Sequence, residues 1–255
     1  MTLIVHADVT DPLGRVAAVR VDTLRAAGEE VEWRAVASRH STRVLASPAG
    51  PEWRRRLGEA ERWHRDNALP GEDLRWVTPL TVPCPDAPVS ALAEAAGAGI
   101  ADHVRHLLVA AYWEQGLDIG NPDVLRPLLA VPMLHGSSGA EVLRQDGYAV
   151  AIGGGPVTTD AWRRIGAWRR SWVDLGRPGL PALVEDGTVL SGLEALARLG
   201  ALVSERGLEV RLGADLFPLP PRPVTAPWLG IEYRGHRSGW WRGAAGTDRV
   251  GALAR

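Results

Sequence analysis

The chain of 255 residues has no lysine, a single cysteine (Cys84), a single phenylalanine and almost no net charge. All 29 basic residues are arginine, which with the abundant Ala, Gly and Pro reads as the coding bias of a GC-rich genome, not as a functional choice. One thiol cannot form an intramolecular disulfide, so any redox chemistry needs an external thiol. A formal charge of −1 offers nothing to hold nucleic acid. No run of about 18 apolar residues occurs, and no basic N-terminal segment leads into a long apolar one, so no membrane association is expected and the cytoplasm is the expected compartment. His135-Gly136-Ser137-Ser138-Gly139 lacks the Gly-x-Ser-x-Gly spacing of a hydrolase elbow. Gly153-Gly154-Gly155-Pro156 lacks the Lys and Ser/Thr of a phosphate loop. Both read as loops, and no cofactor or metal is expected.

What is present is a chain 45% hydrophobic, enough to bury a substantial core without disulfides or metals. Near its start Leu3, Ile4 and Val5 give way through Ala7-Asp8-Val9-Thr10 to Asp11-Pro12-Leu13-Gly14. Asp11 suits a helix N-cap, because its carboxylate accepts first-turn N–H groups, and Pro12 suits the next position, where a missing N–H costs nothing. A helix to about Ala27 and an alternating strand from Glu30 to Val36 complete a strand, helix, strand unit. A polar link from Ser38 to Ser47 follows.

Helices dominate the middle. One starts at Pro51, with Trp53, Leu57, Ala60 and Trp63 or His64 on its buried face, and its Arg54-Arg55-Arg56 run reads as a solvated face or a docking patch for an acidic partner. An extended piece from Leu74 reaches Pro83-Cys84-Pro85. Further helices are expected over Val89 to Ala96, Ile100 to Gln115, Pro122 to Leu129 behind an Asn121 cap, and Thr158 to Leu175. In the last of these, Trp162, Ile165, Trp168 and Trp172 read as one core stripe. Strands return at Ala182 to Val184 and Thr188 to Leu190 around an Asp186-Gly187 hairpin turn, and a helix from Leu193 to Ser204 closes this part. Seven arginines against four acids make residues 207–255 basic. A strand over Trp228 to Tyr233, a cleft-covering, dimerising or packing role for Trp240-Trp241 and disorder from Arg242 to Arg255 are the expectations there.

This order of elements, with Trp113-Glu114-Gln115-Gly116-Leu117-Asp118-Ile119, Asn121-Pro122-Asp123-Val124-Leu125 and Gly179-Leu180-Pro181-Ala182-Leu183-Val184-Glu185-Asp186-Gly187, resembles the DsbA-like thioredoxin superfamily. The nearest likeness is to the branch of FrnE-type proteins, 2-hydroxychromene-2-carboxylate isomerases and kappa-class glutathione transferases. The resemblance spans residues 2–205 and implies an α/β fold: a thioredoxin-like core (1–44 and 174–206), a large all-helical insertion domain (45–173) and a C-terminal extension (207–255). It also implies a cis Leu180-Pro181 bond beside the active-site helix end.

Where redox members carry Cys-Pro-x-Cys and the isomerases and transferases Ser-Pro-Tyr, this chain has Asp11-Pro12-Leu13-Gly14. No thiol sits there, and the carboxylate already occupies a helix end whose field favours one negative charge. Asp11 is read as an N-cap or as an acid, base or ligand-orienting group. Cys84, between two prolines, is read as a small buried hydrophobe or as a nucleophile on the cleft wall. The resemblance implies a substrate cleft floored by Asp11, Pro12, Leu13, Leu180 and Pro181 and walled by Cys84 and Trp113. Three functions compete. First comes a cofactor-free isomerase or cyclase of a conjugated small molecule in secondary metabolism, free or tethered to an acyl carrier protein, using reversible addition of Cys84. A non-catalytic adaptor and a thiol-dependent transferase are the others, and a homodimer is compatible with each.

Overall fold

The computed structural model describes residues 3–37, 46–213 and 216–223. The expectations for Trp228 to Tyr233, Trp240-Trp241 and the stretch beyond Arg242 lie outside the described residues. Strand β1 (Leu3–Ala7) enters helix α1 (Pro12–Ala26), which returns the chain to β2 (Val31–Ala35). β1 and β2 are parallel, Leu3 opposite Val31 and Ala7 opposite Ala35, as a helical crossover requires. β5 (Ala182–Glu185) runs antiparallel on the other side of β1, and β6 (Thr188–Ser191) folds back on it, giving the order β2-β1-β5-β6. Asp186 and Gly187 both take positive φ, 48° and 81°, the conformation that a two-residue hairpin of matching twist demands. Helix α8 (Leu193–Glu205) then packs on α1. Leu180-Pro181 is cis.

Between β2 and β5 the chain makes α2 (Pro51–Asn67), α3 (Asp86–Gly97), α4 (Ala101–Trp113), α5 (Pro122–His135), α6 (Glu141–Gln145) and α7 (Thr159–Asp174). The insertion is not wholly helical: β3 (Ser47–Pro48) pairs antiparallel with β4 (Thr81–Val82) in a two-residue ribbon, apart from the main sheet. Helix α5 runs past Leu129 despite Pro127 and Pro132. Each proline removes one i→i−4 bond, but Leu125, Leu129 and Met133 form a fully buried stripe that holds the helix against that loss. The tryptophan stripe of α7 divides. Trp168 is buried, but Trp162 is 61% exposed, and Trp172 Nε1 donates to the Pro178 carbonyl oxygen at 3.0 Å. No helix among the described residues is long and apolar enough to cross a membrane.

Helix α1 is covered almost all round, by α8, α4 and α2, so its polar residues are buried and need partners. Arg20 makes a bidentate pair with Glu72 (2.8 and 2.7 Å) and donates to the Leu196 and Asn67 carbonyl oxygens. Asp22 accepts from Arg105 of α4 and lies 3.0 Å from His106 Nδ1. The described residues all belong to one compact unit.

Candidate functional site

The site is built at the turn from β1 into α1. Asp8 Oδ1 accepts from the backbone N–H and the hydroxyl of Thr10, at 2.8 and 2.7 Å, and the Asp8 carbonyl oxygen accepts from Asp11 N at 3.1 Å. This tight turn brings Gly14 against the Asp8 carbonyl: a Cβ at position 14 would lie 1.9 Å from that oxygen. Only glycine fits there without a backbone shift. The turn thereby sets Asp11, 6% exposed, at the N-cap of α1.

The two Asp11 oxygens are divided. Oδ1 accepts from Leu13 N at 3.0 Å, capping the helix as expected, and Oδ2 accepts from Arg56 Nη2 at 2.5 Å. The carboxylate is therefore balanced both by the helix dipole and by a guanidinium. Arg56 comes from the arginine run of α2, and its side chain is 44% exposed, so this run is not simply a solvated face. Its neighbour Arg55 pairs with Glu59 one turn on. An open cleft of about 300 Å³ lies here, lined by Asp11, Leu13, Arg56, Glu52, Ala60 and Leu193 with the Arg55–Glu59 pair.

Asp11 and Leu13 line this cleft, while Pro12 is the buried first residue of α1. Leu180 and Pro181 are buried next to it: Ala182 pairs with His6 near the end of β1, and the Pro181 carbonyl oxygen accepts from Gly192 N at 2.8 Å, directly before the lining residue Leu193. Trp113 corrects the expectation of an aromatic wall. It is fully buried, donates through Nε1 to the Val9 carbonyl oxygen at 2.9 Å, stacks on Trp53 and meets Tyr112 edge to face. A side chain that large contributes most to stability when wholly enclosed. Cys84 is 7% exposed, its Sγ 3.7 Å from Asp86 Oδ2, and Gly120 packs on its backbone. It is not part of the lining of the Asp11 cleft.

Two features escaped the sequence. Arg56 lies 45 positions from Asp11, and nothing local marks it out from its two neighbours. Arg15, on the first turns of α1, is 2% exposed between Trp76 and Trp113 (5.3 and 5.5 Å to the ring centres), with Nη1 donating to the Arg75 carbonyl oxygen. Burial lowers its pKa to about 10, against the opposing pull of Glu114. Among the described residues no three His, Cys, Asp or Glu side chains form a metal cluster.

No protein-family model and no curated protein matches the chain. Solved structures do. A probable DsbA oxidoreductase from Streptomyces coelicolor aligns with a TM-score of 0.56 at 17% identity, over 84% of this chain and 93% of that one. The cytosolic disulfide reductase DsbM from Pseudomonas aeruginosa gives 0.54 and 17%, over 81% and 98%. A 2-hydroxychromene-2-carboxylate isomerase gives 0.52 and 15%, over 81% and 95%. The chain thus has the DsbA-like thioredoxin fold with a helical insertion.

Proposed function

We propose that the chain is a cofactor-free isomerase or cyclase of a conjugated small molecule, acting at the N-terminus of α1 through Asp11 and Arg56 without disulfide exchange. The observation that supports this reading is the divided carboxylate. One Asp11 oxygen holds the helix, while the other meets a half-exposed guanidinium beside an open cleft. In such a pair Asp11 removes a proton from the substrate, Arg56 turns to the oxygen on which negative charge develops, and Asp11 returns the proton at another position. The proton it removes is one that the substrate itself makes acidic, such as one on a carbon conjugated to a carbonyl. One of the solved structures with this fold is an isomerase, so the scaffold accommodates chemistry of this class. A substrate carried by an acidic acyl carrier protein would meet the Arg54 to Arg56 run on α2. Cys84, enclosed and directed at Asp86, is left a structural role.

The test follows absorbance of 2-hydroxychromene-2-carboxylate, of a panel of conjugated enone acids and of polyene thioesters. Turnover of at least one member, lowered roughly 100-fold or more in Asp11→Asn with folding retained, is the expected result. A panel that is bound but left unchanged supports a binding protein instead. Turnover that requires added glutathione supports a thiol-dependent transferase.

A further inference from the structure

A second cleft, of about 280 Å³, opens beside β2, the terminal strand of the main sheet, and shares no lining residue with the Asp11 cleft. Its lining charges are unequally partnered. Glu32 is held bidentately by Arg34, at 2.8 and 2.7 Å. Asp102 gives one oxygen to Arg105 Nη1 at 2.8 Å and the other to Arg25 Nε at 2.9 Å. Arg105 is further committed to Asp22 and lies over the ring of Trp33. That leaves Arg164 of α7. Its Nη1 donates to the Ala93 carbonyl oxygen at 2.7 Å, but no carboxylate among the described residues pairs with it, and the remaining donors of a five-donor fork are left over.

Two indoles border the same space. Trp33 and Trp168 both line the cleft and are 7% and 6% exposed. The Nε1–H of Trp33 has no acceptor among the described residues, but it is enclosed and does not open into the cleft. A surplus guanidinium and two indole edges around so small a space match one kind of ligand. We propose that this cleft binds a planar aromatic carboxylate of one or two rings, its carboxylate on Arg164 and its ring against Trp33 and Trp168.

The probe is 2-naphthoate, titrated calorimetrically into the full chain, with neutral 2-naphthamide as the comparison. The expected result is saturable binding of the acid to the wild type, with about tenfold weaker binding of the amide and about tenfold weaker binding of the acid to Arg164→Gln, the loss of one charge-assisted contact. Equal affinity for acid and amide, undiminished binding to Arg164→Gln, or no binding of the acid at millimolar concentration would each overturn the proposal. The acid-to-amide ratio in the wild type decides the matter even if the variant folds poorly.

Discussion

At the scale of single residues, the site depends on what Asp11 and Gly14 each do. Asp11 both caps α1 and partners Arg56. Asp11→Ala therefore loses a cap and a partly exposed ion pair, and an expected cost of about 1–2 kcal/mol appears as a lower midpoint in urea unfolding. Asp11→Asn keeps an oxygen for the cap and is expected to lose far less, which makes it the variant that separates chemistry from stability. Gly14 bears on redox chemistry. Because a Cβ there would lie 1.9 Å from the Asp8 carbonyl oxygen, rebuilding a Cys-Pro-x-Cys motif as Asp11→Cys with Gly14→Cys forces the turn open, at an expected loss of about 1–3 kcal/mol for the second substitution. Denaturant unfolding of the double variant, with its reduction of insulin, checks this; an undiminished midpoint would show that the turn yields freely. The Asp-Pro pair made the cap legible in the sequence. Arg56 was not, since only the folded chain brings a residue of α2 to the end of α1. Trp113 was misjudged because a tryptophan serves equally as a wall or as core, and the acceptor of its N–H, the Val9 carbonyl oxygen, is 104 positions away.

At the scale of elements, the sheet was legible because β1 is an apolar run, β2 alternates and Asp186-Gly187 dictates a hairpin. The interior of α1 was not. Arg15, Arg20 and Asp22 look like a polar face until Glu72 and Arg105 arrive from distant segments to neutralise two of them. The junction of α3 and α7 is of the same kind. Glu94 of α3, 2% exposed, accepts from the backbone N–H groups of Val157 and Thr158, both at 2.7 Å, and from the Thr158 hydroxyl at 2.8 Å, while Thr158 caps α7. Glu94→Ala strands two amide donors at once and is expected to cost about 3 kcal/mol. Amide hydrogen exchange should show the first turn of α7 losing protection ahead of the rest, and uniform loss across the molecule would contradict a local role for Glu94.

At the scale of the whole molecule, the buried histidines are expected to shape the response to acid. His6 lies in β1 at the centre of the sheet with its pKa pushed down to about 4 from an ordinary 6.5, by burial first and by Arg34 second. Burial also lowers the pKa of His64. Groups depressed in the folded state are protonated first in the unfolded chain, so their contribution is complete above pH 6.5 and is lost as pH falls toward 4. His106 runs the other way. Hydrogen bonding to Asp22 raises its pKa, and that contribution, complete below 6.5, fades as pH climbs through the raised value. The free energy of unfolding is expected to fall between pH 6.5 and 4, and to fall less steeply in His6→Leu; an unchanged slope would show that His6 does not govern it.

In the function proposed for this chain, a carboxylate at the head of α1, and not the one thiol, carries the chemistry. The measurement that tests it most directly compares kcat/KM of wild type, Cys84→Ala and Asp11→Asn on whichever conjugated substrate the wild type turns over. Cys84→Ala is expected to stay within about twofold of wild type, while Asp11→Asn, still folded, falls by roughly 100-fold or more. Activity that vanishes with Cys84 and survives in Asp11→Asn would contradict it.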